Sequence, residues 1–368
     1  MIDVAMFTLE IENFKCFHGL QQVPVNRLTV LVGCNSSGKS SVVQALRYLH
    51  RARHAEGGVI SLVEDDDQGV GSTTDLINED FAGSQFSIEL FDEDNGSHVS
   101  ALFSPTADDA GLEFSFNCSG PVPELMAKEL YFLSAERVGP RISSQTRELA
   151  FTHCGKNGEA TAQVLLRNEL NTIEPERVHP GIPNRLMPNV RAWLNYILPS
   201  TDIAVIGNEE MQRAKILAGH GRRDMRTSAS VGFGVSYVLP IIVDCLVAVR
   251  GRLILIENPE AHLHPAAQTR MGLFLARMAM TGLNIVVETH SEHILEGIQV
   301  FAAEHPDTRN LITVNFFRES DSDEGEGCKV MPIYLERDFS FSEFPKGFLD
   351  ESVNTYKAFQ DAKKKAAE

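Results

Sequence analysis

The chain has 368 residues, 43% of them hydrophobic and 23% charged, and carries a net charge of −17. This composition fits a soluble globular protein with room for one elaborated domain or two. The acidic balance excludes a surface that coats nucleic acid generally, although a local basic patch could still bind phosphate. The six cysteines (Cys16, Cys34, Cys118, Cys154, Cys245 and Cys328) are scattered, with no close pair spaced for zinc or redox work, and read as free thiols in a reducing cytoplasm. The opening "MIDVAMFTLEIENFKCF" lacks a basic start followed by an apolar core, so no signal peptide is expected. The longest apolar run, Tyr237 to Val249, contains Asp244 and is too short to span a bilayer. A cytoplasmic protein with no membrane partner is expected.

In chain order, "MFTLEIENF" alternates Phe7, Leu9 and Ile11 with polar residues, as a half-exposed strand does. "RLTVLVG" is a continuous apolar run suited to a buried parallel strand. Val42, Leu46 and Leu49 then recur at helical spacing. "VEDDDQGVGSTTD" reads as a loop, and "FSIELFDEDNGSHVSALF" as a hairpin around Asp-Asn-Gly. "LEFSFN" and "ELYFLSA" are further strands. The stretch from Ala160 to Leu198 reads as mainly helical, interrupted by "HPGIPNRLMP", and suggests an inserted helical arm or lid. "VGFGVSYVLPIIVDCLVAV" is a glycine turn entering an apolar helix, and "RLILIE" and "LNIVVET" are buried strands. "LITVNFF" and "KVMPIYL" form a hairpin around the acidic "ESDSDEGEG", and the tail is a lysine-rich helix.

Chemistry concentrates in four places. "GCNSSGKS", Gly33 to Ser40, has the P-loop spacing and sits between a buried strand and a helix, the context the motif requires. Backbone N–H groups from Asn35, Ser36, Ser37, Gly38, Lys39, Ser40 and Ser41 would cradle phosphate at a helix N-terminus. Lys39 would contact the β- and γ-phosphates, and Ser40 would coordinate magnesium. "LILIENPEAHLHP" ends an apolar strand in Glu257, the magnesium-side acid, followed by Asn258 and Glu260. "ETHSEHIL" supplies His290 just past another buried strand, within reach of a γ-phosphate. His262, His264, His290 and His293 also form a competing zinc reading. "SASVGFGVS" places Ser230, Gly232, Gly234 and Ser236 ahead of a helix, a second anion cradle that would serve another subunit's nucleotide. Arg137 and Arg141 in "SAERVGPR", and Arg222, Arg223 and Arg226 in "GRRDMR", are either phosphate sensors, nucleic-acid contacts or solvated surface arginines.

In this order the motifs resemble the ABC-type ATPase heads of the SMC, RecF and OLD-like group. The resemblance covers most of the chain. "PEAHLHP" and "THSEHIL" look like the OLD-like branch, and "YFLSAERVGPR" and "SEFPKGFLDE" look like a compact subset found in bacterial anti-phage modules, Septu-like pairs of ATPase and nuclease among them. The resemblance implies an α/β P-loop NTPase fold of ABC-ATPase type: a mixed sheet, an antiparallel β part and an inserted helical lid. It implies one domain over residues 1–368, with the lid over 141–226 and a tail over 343–368. It implies ATP and Mg2+ as cofactors, held by Lys39, Ser40 and Glu257, and a homodimer or higher oligomer in which Gly232, Gly234 and Ser236 cap the partner's γ-phosphate. His290 takes the switch position, and His262 lies in the loop that crosses the dimer interface.

Two departures stand out. Asn258 occupies the position where related heads usually carry the glutamate that polarises water, and an amide cannot accept water's proton. Glu257, Asn258, Glu260 and His290 are therefore expected to support slow hydrolysis. The signature-like segment also lacks the usual Ser-Gly-Gly run. No heptad array supports coiled-coil arms, and fewer than roughly eighty residues follow His290, short of a typical domain. Nuclease or toxin activity is thus expected on a separate effector chain, which this head would regulate in anti-phage defence. Two other readings stay open: a non-hydrolysing, ATP-locked scaffold, and a RecF-like repair ATPase that binds duplex DNA.

Overall fold

The computed structural model describes residues 7–62, 72–107, 111–146, 148–208, 212–219, 225–227, 232–319 and 327–348, with positions 355, 358, 359 and 363 beyond them. Most of the acidic stretch after Leu62, the loop around "SDSDEGE", Ser230, Arg222, Arg223 and nearly all of the lysine-rich tail lie outside the described residues.

The elements are β1 (Phe7–Phe14), β2 (Phe17–Val25), β3 (Leu28–Gly33), α1 (Lys39–His54), β4 (Val59–Ser61), β5 (Phe86–Asp92), β6 (His98–Pro105), β7 (Glu113–Ser119), β8 (Tyr131–Leu133), β9 (Ser144–Gln145), α2 (Thr161–Asn168), α3 (Leu186–Ile197), β10 (Asp202–Asn208), β11 (Arg213–Gly219), β12 (Arg226–Thr227), α4 (Phe233–Val247), β13 (Leu253–Glu257), α5 (Pro265–Ala279), β14 (Asn284–Glu288), α6 (Glu292–Glu304), β15 (Ile312–Glu319) and β16 (Cys328–Ile333). The expected hairpins β5–β6 and β15–β16 form, both antiparallel.

The central sheet has the order β16-β15-β3-β14-β13-β8. Its strands β15, β3, β14, β13 and β8 run parallel, and β16 is the antiparallel edge. Side-chain alternation divides the core between its two faces. Leu31, Leu253, Leu255 and Val286 point into a cluster with α1 and the antiparallel sheet β2-β1-β5-β6-β7-β4. Val30, Ile254, Ile256, Ile285 and Val287 point the other way, among residues of α3, α4, α5 and α6. Burial on both faces is why these strands read as unbroken apolar runs.

The segment 141–226 holds the two expected helices, α2 and α3, and something the periodicity did not show. A four-stranded antiparallel sheet, β10-β11-β12 with β9 paired to β11, adds a β part to this segment. Two glycines permit the tightest helix packing. A Cβ on Gly272 of α5 would stand 2.2 Å from the Ile294 carbonyl oxygen, and one on Gly297 of α6 only 2.1 Å from that of Thr269. Arg177, fully buried, donates to the Cys245 and Ala248 carbonyls at the end of α4 and to Thr281 Oγ1. It satisfies acceptors that a helix C-terminus otherwise leaves open.

Candidate functional site

The P-loop connects the end of β3 to α1. Three residues in it take positive φ: Gly33 (143°), Ser36 (61°) and Gly38 (102°). The glycines are dictated by space as well as by φ. A Cβ on Gly33 would meet the Phe317 carbonyl oxygen at 2.2 Å, and one on Gly38 would meet Cys16 Sγ at 2.7 Å. Lys39 is buried, and its ammonium folds back to donate to the Gly33 oxygen (3.0 Å) and the Cys34 oxygen. Burial lowers its pKa, against the opposing pull of Glu288. Ser37 Oγ closes the loop on the Cys34 oxygen at 2.8 Å. Ser41 is turned away, with its hydroxyl 3.9 Å from Cys16 Sγ. Asn35, Ser36 and Ser40 are exposed.

Two acids end adjacent strands beside this loop, and one of them, Glu288, bonds its helix start. Glu257 ends β13 and Glu288 ends β14, and the pair is in register across the parallel ladder. Glu257 Oε2 accepts from the Ala135 N–H at 2.9 Å. Glu288 Oε1 accepts from Ser40 Oγ at 2.9 Å, while its Oε2 is buried with no hydrogen-bond partner. Burial raises the pKa of both carboxyls. Glu288, with Glu257 as like-charged neighbour, is pushed up to about 7. The Glu257 backbone is held by Arg137, whose guanidinium donates to the Glu257 oxygen and, at 3.2 Å, to the Asn258 oxygen. Arg137 is 4% exposed and its pKa falls to about 10 through burial, so the surface-arginine alternative fails for it; Arg141 and Arg226 are exposed.

The turn after β13 is bent at Asn258 (φ 44°) and His262 (φ 60°). Asn258 donates its N–H to the Glu288 oxygen at 2.8 Å, and its Oδ1 is buried without a partner. Glu260 accepts from Thr289 Oγ1 and from the His290 N–H, both at 2.8 Å. Each of its oxygens is therefore engaged by the segment that follows β14. His290 is exposed overall, and partial desolvation together with the nearby Lys39 lowers its pKa, against the pull of Glu260.

The helix α4 begins at Gly232, whose added Cβ would meet nothing within 4 Å. Gly234 packs closely on the turn, its notional Cβ 3.4 Å from the His262 oxygen. The exposed His262 ring lies 5.1 Å from Phe233 and 4.6 Å from Tyr237, and Arg137 stacks over Tyr237 at 5.6 Å. Ser236 is half-buried, facing a cleft with Val138, Gly139 and Leu239. The signature-like helix start and the turn after Glu257 thus form one packed unit.

These residues fit a nucleotide and its divalent cation. The loop offers a concave N–H surface. Ser40 Oγ and Glu288 Oε1, 2.9 Å apart, are spaced like two adjacent ligands of an octahedral cation, for which metal–oxygen bonds of about 2.1 Å imply an edge of roughly 3.0 Å. Among the described residues no group of three or more His, Cys, Asp or Glu side chains is set to hold a metal, which leaves the zinc reading without a ligand set. All six cysteines are free thiols.

Residues 28–296 match a family profile described as "AAA domain, putative AbiEii toxin, Type IV TA system". The chain belongs to this family. No curated protein matches it. Among solved structures it is similar to an SMC head bound to the C-winged helix domain of ScpA, with 14% identity, 90% of this chain and 98% of that chain covered, and a TM-score of 0.59. It is also similar to an SMC head domain with an extended coiled coil, bound to the C-terminal domain of ScpA derived from Pyrococcus furiosus, with 12% identity, coverage of 96% and 98%, and a TM-score of 0.53. The fold is that of an ABC-type ATPase head. No described helix is long and apolar enough to cross a membrane.

In this head, sequence reasoning missed Glu288 and underrated Arg137. A signal for Glu288 was present: "NIVVE" ends an apolar strand in an acid just as "LILIE" does.

Proposed function

We propose that the chain is an ATP-binding, slowly hydrolysing head that closes with a second copy around nucleotide and regulates a separate effector. The observation that carries this is the convergence of the P-loop, the acid-ended strands β13 and β14, and His290 at the C-terminal ends of adjacent interior strands of the parallel sheet. Lys39 leaves its two loop carbonyls for the β- and γ-phosphates, which replace them as acceptors. Ser40 and the strand-end acids take the cation, with Glu257 on the magnesium side. When bound, magnesium would neutralise phosphate charge in the reaction. Asn258 orients water without taking its proton, and Glu260 holds the His290 backbone in position. Gly232, Gly234 and Ser236 act in trans on the partner's γ-phosphate, and residues 141–226 form the lid beside them.

An effector nuclease or toxin on another chain, and an anti-phage setting, are suggested by the resemblance of the motifs to paired ATPase–nuclease modules; the matching family's description names a toxin–antitoxin system. A specific observation favours a second reading. Asn258 is strained, its Oδ1 is unpartnered, and Glu260 is committed to the switch. A head built this way could use ATP as a non-hydrolysed lock.

Lys39→Ala should abolish ATP binding in a calorimetric titration while leaving the thermal melt intact; unchanged affinity overturns the P-loop role. Phosphate release by the wild type under magnesium separates the readings. Turnover above buffer supports the enzyme, and ATP-bound dimers without turnover support the lock.

A further inference from the structure

We propose that Glu288 is a direct ligand of the nucleotide's divalent cation, beside Ser40 and in addition to the magnesium-side acid Glu257. This rests on the ATP-binding reading above.

Three observations support it. Glu288 is 6% exposed and points one oxygen at Ser40 Oγ, the hydroxyl that a P-loop offers to the cation. The 2.9 Å between those oxygens is a hydrogen-bond distance, and it keeps both groups close enough to share one magnesium ion, whose neighbouring ligands stand roughly 3.0 Å apart. The second oxygen is buried and unpartnered, an arrangement that is costly unless a cation or its water completes it.

The rival acid is turned elsewhere: Glu257 gives one oxygen to the Ala135 N–H, on the side of the sheet away from Ser40, and its backbone is held by Arg137. Glu260 has both oxygens engaged by Thr289 and His290. Glu288 is thus the carboxylate that meets Ser40 through one oxygen and keeps its other oxygen unpartnered. Charge gives the same answer. Lys39 is the ammonium that offsets Glu288 in this state. Once Lys39 turns to phosphate, two in-register carboxylates need a cation between them and the nucleotide. Glu257 then supports the cation from its neighbouring strand, through water.

The test compares wild type, Glu288→Gln and Glu288→Asp for binding of a fluorescent ATP analogue, with magnesium and with EDTA. Manganese retention is followed in parallel by electron paramagnetic resonance. Glutamine keeps the shape and the Ser40 contact, and aspartate keeps the charge but withdraws it by one methylene. Both should leave EDTA-state affinity intact and lose about tenfold or more of the magnesium-dependent gain and of manganese affinity, at least the cost of disturbing a metal's outer partners. Thermal melts check folding, and the variant that folds decides the matter if the other does not. An unchanged magnesium gain overturns the assignment. So does tighter magnesium–nucleotide binding in both variants, which would make Glu288 a latch on Ser40. Absence of nucleotide binding by the wild type, in contrast, removes the ATP-binding reading itself and the ligand with it.

Discussion

Asp244 is the one acid inside the most apolar helix of the protein, and it should make stability depend on pH. It is fully buried, and its Oδ1 accepts the Cys154 N–H at 2.8 Å. Desolvation pushes its pKa from 3.8 to about 7, and the bond from Cys154 only partly offsets this. A carboxyl raised in the folded state holds its proton where the unfolded chain has lost it. The stabilising effect of that proton is complete below the unfolded pKa. It fades as pH rises and is gone above the folded pKa. A tenfold change in proton affinity corresponds to about 1.4 kcal/mol, so at pH 8 the ionised Asp244 costs roughly 4 kcal/mol. At pH 5 only about 1.5 kcal/mol of that has been incurred. Asp244→Asn keeps the acceptor for Cys154 and cannot ionise. Its stability relative to wild type should therefore improve by about 2.5 kcal/mol from pH 5 to pH 8. Urea unfolding of both proteins at the two pH values measures this, with equal slopes confirming comparable unfolding. Any fixed defect of the amide cancels in the comparison. A gap that does not change with pH, or that widens toward acid, would refute the reasoning.

Three further outcomes are expected. Glu260→Ala removes the acceptor of Thr289 Oγ1 and the His290 N–H, so it should lower stability by about 1–3 kcal/mol and reduce phosphate release while sparing ATP affinity; Glu260→Gln, which retains one acceptor, should do less. Turnover unaffected by either change would detach Glu260 from the switch. Gly297→Ala drives a methyl into the Thr269 carbonyl and should cost about 1–3 kcal/mol or more by denaturation, whereas Gly232→Ala, with open space around it, should leave the melt unchanged. Ser236→Arg should prevent ATP-dependent pairing of heads in light scattering, provided that contacts outside the heads are first excluded, and a surviving ATP-dependent dimer counts against the role in trans.

The sequence by itself determined whatever is local. Phosphate cradles need glycines at fixed offsets because only they accept the backbone angles and the close neighbours at Gly33 and Gly38. Strands buried on both faces must be continuously apolar, so β3, β13 and β14 were legible, as were the hairpins and helix α4. The β half of the insertion was not. Its strands β9 and β12 are two residues long, and β10 and β11 carry glycine, alanine and half-buried positions, so no alternating pattern marks them. Arg137 could not be told from a surface arginine, because its partners are backbone carbonyls more than a hundred residues away. The division of labour among the acids was decided only by tertiary structure. Sequence placed Glu257 and Glu260 beside the missing glutamate at Asn258. Strand order then set β14 between β3 and β13, which brings Glu288 to Ser40 across 248 positions of chain and turns Glu260 toward His290. A motif records which side chains leave a strand end; the neighbour each one meets depends on which strands lie side by side, and non-local pairing sets that.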